Sequence, residues 1–129
     1  MKKFPDFVPP TKVSYLDRGP TLHLRRCILQ AVDDPTQEWT FDKEEIRIGS
    51  MEDNDVVLGD DTVSRYHCRI TQEDNGYVLL DQRSTNGTFL NGRPVEGEVP
   101  MGYGDEIQLG AARMRLERSL APERDGRRR

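Results

Sequence analysis

Residues 62–88 decide how this chain folds. They run from Thr62-Val63-Ser64-Arg65-Tyr66-His67 through Cys68-Arg69-Ile70-Thr71 to Asn75-Gly76, then return through Tyr77-Val78-Leu79-Leu80 to Ser84-Thr85-Asn86-Gly87-Thr88. Tyr66, Cys68 and Ile70 alternate with His67, Arg69 and Thr71, the period of a half-buried strand. Asn75-Gly76 is the strongest hairpin-turn signal in the sequence, and Tyr77 to Leu80 is expected to be the return strand. A hairpin brings the chain back to the end it left. The two polar stretches that flank it are therefore expected at one edge of a β-sheet. There hydroxyls, amides and an arginine would converge into a site for an anionic ligand.

Outward from this hairpin the same punctuation continues. Upstream, strand signals begin at Leu22, with Leu22, Leu24 and Ile28 expected on one face. Asp33-Asp34-Pro35 is a turn, Glu38 to Phe41 is extended, and Ile46 and Ile48 are in phase on a short strand ending at Gly49-Ser50. Downstream, Asn91-Gly92 separates Phe89-Leu90 from Pro94-Val95, Ile107 and Leu109 alternate with polar neighbours, and so do Ala112, Met114 and Leu116. About ten short strands with turn chemistry between them, and no helical period, predict an all-β sandwich of mostly antiparallel strands. Residues 21–117 carry this pattern. Residues 1–20, with four prolines, read as an extended arm, and 118–129 as a linker or tail.

The 129 residues hold one domain, with 34% hydrophobic and 33% charged residues. With +2 on residues 1–20 and +3 on 118–129, the net charge of −4 leaves −9 on the body. An acidic body argues against direct nucleic-acid binding, which needs a basic footprint. No apolar run approaches a membrane span or a signal peptide. Cys27 and Cys68 are too few for a disulfide framework and are expected as small buried hydrophobes in a reducing cytoplasm. Together with His23 and His67 they lack metal-ligand spacing, so no metal or other cofactor is expected.

Ile48-Gly49, Asn54 to Leu58, Val63 to Cys68, Asp81, Ser84 to Thr88, Asn91-Gly92 and Gly104 to Gly110 stand in the order and spacing of one known family. In this the chain resembles the forkhead-associated (FHA) domain over roughly residues 22–117, a sandwich of about eleven strands whose loops bind phosphothreonine peptides. The resemblance implies that Ser64 hydrogen-bonds the phosphate, that Arg65 lies beside the peptide and that Thr85 contacts the phosphate or its surroundings. Asn86 would bond the peptide backbone, with Asn91 helping from the next turn. Gly49 and Gly87 would supply special backbone conformers, and His67 a buried imidazole that braces the loops. The blocks look like those of bacterial FHA domains at the N-terminus of sigma-54-dependent transcriptional activators. That implies a regulatory module in Ser/Thr-kinase signalling, whose partner is a phosphothreonine protein, a kinase or its substrate.

The chain departs from the family at Ser50, where the family usually carries a phosphate-binding arginine. A charge-assisted hydrogen bond contributes about 1.5–3 kcal/mol, so its loss lowers phosphate affinity by about one to two powers of ten. Arg65 and Arg83 flank the polar loops and are the candidates to compensate; Arg47 lies on the opposite strand face. The alternative is a phospho-independent interaction or dimerisation module. Catalysis is not expected: Ser64 and His67 face opposite ways in an extended chain, and no carboxylate is evident to orient the imidazole. The acidic residues Glu52, Asp53, Asp55, Asp60 and Asp61 near the site point to a ligand without strongly acidic flanks.

Overall fold

Short alternating runs closed by Gly, Asn and Asp turns produce eleven strands and no helix among residues 24–119, the residues described by the computed structural model. The expected arm, 1–20, and all of the expected tail beyond Ser119 lie outside the described residues. The strands are β1 (Cys27–Ala31), β2 (Glu38–Phe41), β3 (Glu45–Gly49), β4 (Val56–Val57), β5 (Cys68–Glu73), β6 (Gly76–Asp81), β7 (Thr88–Leu90), β8 (Arg93–Pro94), β9 (Glu98–Met101), β10 (Glu106–Leu109) and β11 (Ala112–Arg118). They form a six-stranded sheet, β2-β1-β11-β10-β7-β8, and a five-stranded sheet, β4-β3-β5-β6-β9. Only the β3–β4 pair is parallel among those recorded. Leu29, Ile48, Ile70, Leu79, Ile107, Leu109 and Leu116 have no exposed surface and fill the space between the sheets.

Three expectations change in detail. The inward face of β1 is Cys27 and Leu29, not Leu24 and Ile28: Ile28 lies opposite Thr40 and Glu117 on the polar outer face, and Leu24 is 41% exposed, while Leu22 lies outside the described residues. Tyr66 is not part of the inward row, because β5 begins at Cys68 and Tyr66 stays 43% exposed. The hairpin tip is Asp74 and Asn75, one residue earlier than expected, since Glu73 pairs with Gly76. That register sets Ile70 against Leu79; centring the turn on Asn75-Gly76 would set Ile70 against Asp81. Apolar pairing across the strands therefore decides the register. Strand β9 carries Pro100, a residue without an N–H. The sheet tolerates it because β9 is an edge strand.

This topology sorts the loops. The end of β3, the chain between β4 and β5, and the start of β7 all lie where Cys68 meets Asp81. At the opposite end Arg25 caps the hairpin tip, donating to the carbonyls of Glu73, Asp74 and Gly76.

Candidate functional site

His67 has no exposed surface, and its imidazole joins the two polar stretches. Nδ1 accepts the Ser64 backbone N–H at 3.0 Å, which leaves the proton on Nε2 to be donated to the Gly87 carbonyl at 2.9 Å. Both hydrogen bonds are to backbone, so a neutral ring sets the distance between the loops. The Ser64 hydroxyl does not meet the imidazole at all. It accepts the Thr85 N–H at 2.9 Å, and its own proton goes to no described residue. The expected convergence of the two stretches at one sheet end is thus present, with Ser64 at its centre.

A third loop joins them. Ser50 donates its N–H to the Ser64 carbonyl at 3.0 Å, and the Asn54 amide donates to the carbonyls of Arg65 and Met51. Gly49 is glycine for a different reason than expected. It has no positive φ; instead a Cβ there would stand 2.1 Å from the Arg65 carbonyl oxygen. Close approach of two backbones requires it. Gly87, with φ of 85°, does need the left-handed conformation.

Two organising residues carry no role in the sequence-based reading. Asp81 accepts the Ser84 hydroxyl at 2.6 Å, the Ser84 N–H at 3.2 Å and the Thr88 hydroxyl at 2.5 Å, pinning both ends of the 84–88 loop. Burial alone would push its carboxyl up, but these hydrogen bonds outweigh it and hold Asp81 below its ordinary value. The Asp-x-x-Ser spacing of a side chain that captures its own loop is the signal that could have found it. Thr62 accepts the Asn86 amide at its carbonyl, 2.9 Å, and the Ala111 N–H at its hydroxyl, 2.7 Å. That draws the β10–β11 turn under the site, where a Cβ on Gly110 would stand 2.3 Å from the Thr62 carbonyl oxygen. Asn86 keeps its Oδ1 without a partner among the described residues.

Ser50, Ser64, Arg65, Thr85 and Asn86 are therefore brought together, and Arg83 adjoins them through Ser84. Arg65 and Arg83 are exposed, and their side chains form no ion pair or hydrogen bond with a described residue. Arg83 has φ of 56°. Asn91 is not part of this cluster. Strand β7 separates it from Gly87, and its amide is used at the other end of the sheet, donating to Asp105 and accepting the Glu106 N–H. Within the acidic run Asp55 pairs with Lys43, whereas Asp60 binds Thr62 and Asp53 accepts the Tyr66 hydroxyl, bonds to neutral donors that leave the charge in place. Glu52 and Asp61 remain.

Among the described residues no group of three His, Cys, Asp or Glu side chains is placed to hold a metal ion, and no helix is long and apolar enough to cross a membrane. Both cysteines are buried and unpaired, and burial pushes the Cys68 thiol far up.

The family profile for the FHA domain matches residues 46–110. The glycogen accumulation regulator GarA of Mycobacterium tuberculosis is 32% identical over 106 residues, which are 82% of this chain and 57% of GarA. The chain thus spans little more than half of that relative. An oxoglutarate dehydrogenase inhibitor of Corynebacterium diphtheriae is 31% identical over 111 residues, 84% of this chain and 68% of that protein. Among solved structures, Mycobacterium tuberculosis EmbR in complex with a low-affinity phosphopeptide is similar, with a TM-score of 0.70 at 26% identity. That match covers 77% of this chain and 26% of EmbR.

Proposed function

The chain belongs to the forkhead-associated domain family, and on that premise we propose that it is a phosphothreonine-peptide-binding module of Ser/Thr-kinase signalling. The observation that carries this is the state of Ser64: its hydroxyl oxygen is held by the Thr85 N–H, so its proton is presented outward to an acceptor. A phosphothreonine brings about −1.5 to −2 charges and three acceptor oxygens. Ser64 would meet one oxygen, with Thr85, Ser50 and the guanidinium groups of Arg65 and Arg83 around it. Asn86 Oδ1 accepts a peptide N–H. Asn91 acts only as a brace between turns.

These donors are already placed by His67, Asp81 and Thr62, so binding freezes little of the protein. The partner is a phosphothreonine protein, a kinase or a kinase substrate, and the setting is cytoplasmic. EmbR is named a transcriptional regulatory protein, which supports a regulatory place for this module in a transcription regulator. A sigma-54-dependent activator is the finer form, tested by whether the gene's reading frame beyond Arg129 encodes a nucleotide-binding loop and a helix-turn-helix.

The second reading, a phospho-independent interaction module, is favoured by Ser50, which brings no charge to the third loop. Titration of phosphothreonine peptides against their unphosphorylated twins separates the two. Preference for the phosphorylated form, lost in Asn86→Ala and strengthened in Ser50→Arg, is expected. Equal affinity for both forms across a degenerate library overturns phosphate recognition and leaves the second reading.

A further inference from the structure

On the outer face of the five-stranded sheet, β3 and β5 set Arg47 directly opposite Arg69. Like charges so placed destabilise an antiparallel pair. Glu45 is the carboxylate that reaches both, 3.2 Å from Arg69 and 3.8 Å from Arg47, while Asp55 beside them is neutralised by Lys43. Arg47 nevertheless keeps 56% of its side chain exposed. Beyond this pair, where the chain leaves β5 and β6 for the loops, stand Arg65 and Arg83, both without a partner among the described residues.

Exposed apolar groups gather in the same place. Of five large exposed hydrophobics among the described residues, Met51, Val57 and Tyr66 belong to this side, at 40%, 41% and 43% exposure. Val57 pairs with Gly49 while its neighbour Val56 faces the core, so Val57 shares the outer face with Arg47. Arginines beside exposed aliphatic and aromatic side chains have the composition of interface anchors. Here they occur on a body of net charge −9, next to the loops. Asp53, bonded to the Tyr66 hydroxyl, and its neighbour Glu52 oppose the patch from the adjoining loop.

We propose that this face is a second docking surface for the phosphoprotein that enters the loops, which rests on the function proposed above. A segment adjoining its phosphothreonine places an acidic side chain against Arg47 and Arg69 and an apolar one against Val57 and Tyr66. The phosphate contact and this face then act as linked sites, each raising the effective concentration of the other. The flank is acidic on this side, contrary to the expectation from the acidic run. Asp55, the member of that run beside Arg47, is paired with Lys43.

The test uses phosphothreonine peptides with alanine flanks into which a single glutamate is moved position by position, each titrated calorimetrically against the full chain. Glutamate at positions on one side of the phosphothreonine is expected to tighten binding about three- to tenfold. The double variant R47Q/R69Q erases that gain and leaves the alanine-flanked peptide little changed. R47E/R69E shifts the preference to lysine. R47Q alone relieves the like-charge pair and melts no lower than the parent, which separates a binding loss from misfolding. The proposal is overturned if no glutamate position tightens binding, or if the gain survives in R47Q/R69Q. If the alanine-flanked peptide and its unphosphorylated twin bind alike, the function proposed above fails, and this surface fails with it.

Discussion

Arg83 shows what single residues contribute here. A long side chain at φ of 56° occupies the left-handed region that glycine adopts freely. L-residues there pay about 1–2 kcal/mol, and no contact among the described residues repays it. Glycine would lose about 0.5–1 kcal/mol through chain entropy, so Arg83→Gly is expected to leave stability level or raise it by up to about 1.5 kcal/mol. If the guanidinium grips phosphate in place of the arginine missing at Ser50, the same change weakens phosphopeptide binding by about tenfold or more. Denaturant midpoints and peptide titration together read the two opposite signs. Unchanged peptide affinity in Arg83→Gly would show that Arg83 is only a surface charge.

At the scale of elements, the β5–β6 hairpin and the loops at its open end behave as one unit, because His67 ties Ser64 to Gly87 and Asp81 ties Ser84 to Thr88. His67→Ala leaves the part-buried Ser64 N–H and Gly87 carbonyl without their partner and opens a cavity. Each unpaired group costs about 1–3 kcal/mol, so the expected loss is about 2–6 kcal/mol, with loss of phosphopeptide binding even at temperatures where the fold persists. Circular dichroism melting beside peptide titration measures both; intact binding in a folded His67→Ala domain would show that the ring does not set the loop spacing. The hairpin itself was legible in the sequence, since alternation and a turn signal are local. Its exact tip was not, because Ile70–Leu79 pairing, a contact across strands, outweighs the preference of Asn-Gly for the turn centre. Strand β9 escaped for a similar reason: Glu98-Val99-Pro100-Met101 lacks a local strand pattern and is extended because β6 pairs with it.

For the whole molecule, the closing contact is β1 against β11, which joins the two ends of the described chain. No local period encodes that pairing, and it is also what decides which face of β1 turns inward. The site was legible to the extent that its donors, Ser64, Thr85 and Asn86, flank one hairpin. Its supports Thr62 and Asn54 were not, because they act through bonds between side chain and backbone that follow no period, and Asp81 left only the local Asp-x-x-Ser spacing. Those supports make the site end sensitive to acid. Burial would raise Asp55, but hydrogen bonds from Lys43 and the Arg47 N–H bring it below its ordinary 3.8; hydrogen bonds from Thr62 lower Asp60, and Asp81 is lowered as described above. A carboxyl more acidic in the folded chain than in the unfolded one stabilises the fold fully above 3.8, and that stabilisation is lost as pH falls through the folded value. Urea midpoints should therefore drop steadily from about pH 5 to about pH 2, and Asp81→Asn should lie below the parent at neutral pH yet fall less steeply. Equal slopes for the two proteins would mean that the 84–88 loop does not depend on the charge of Asp81.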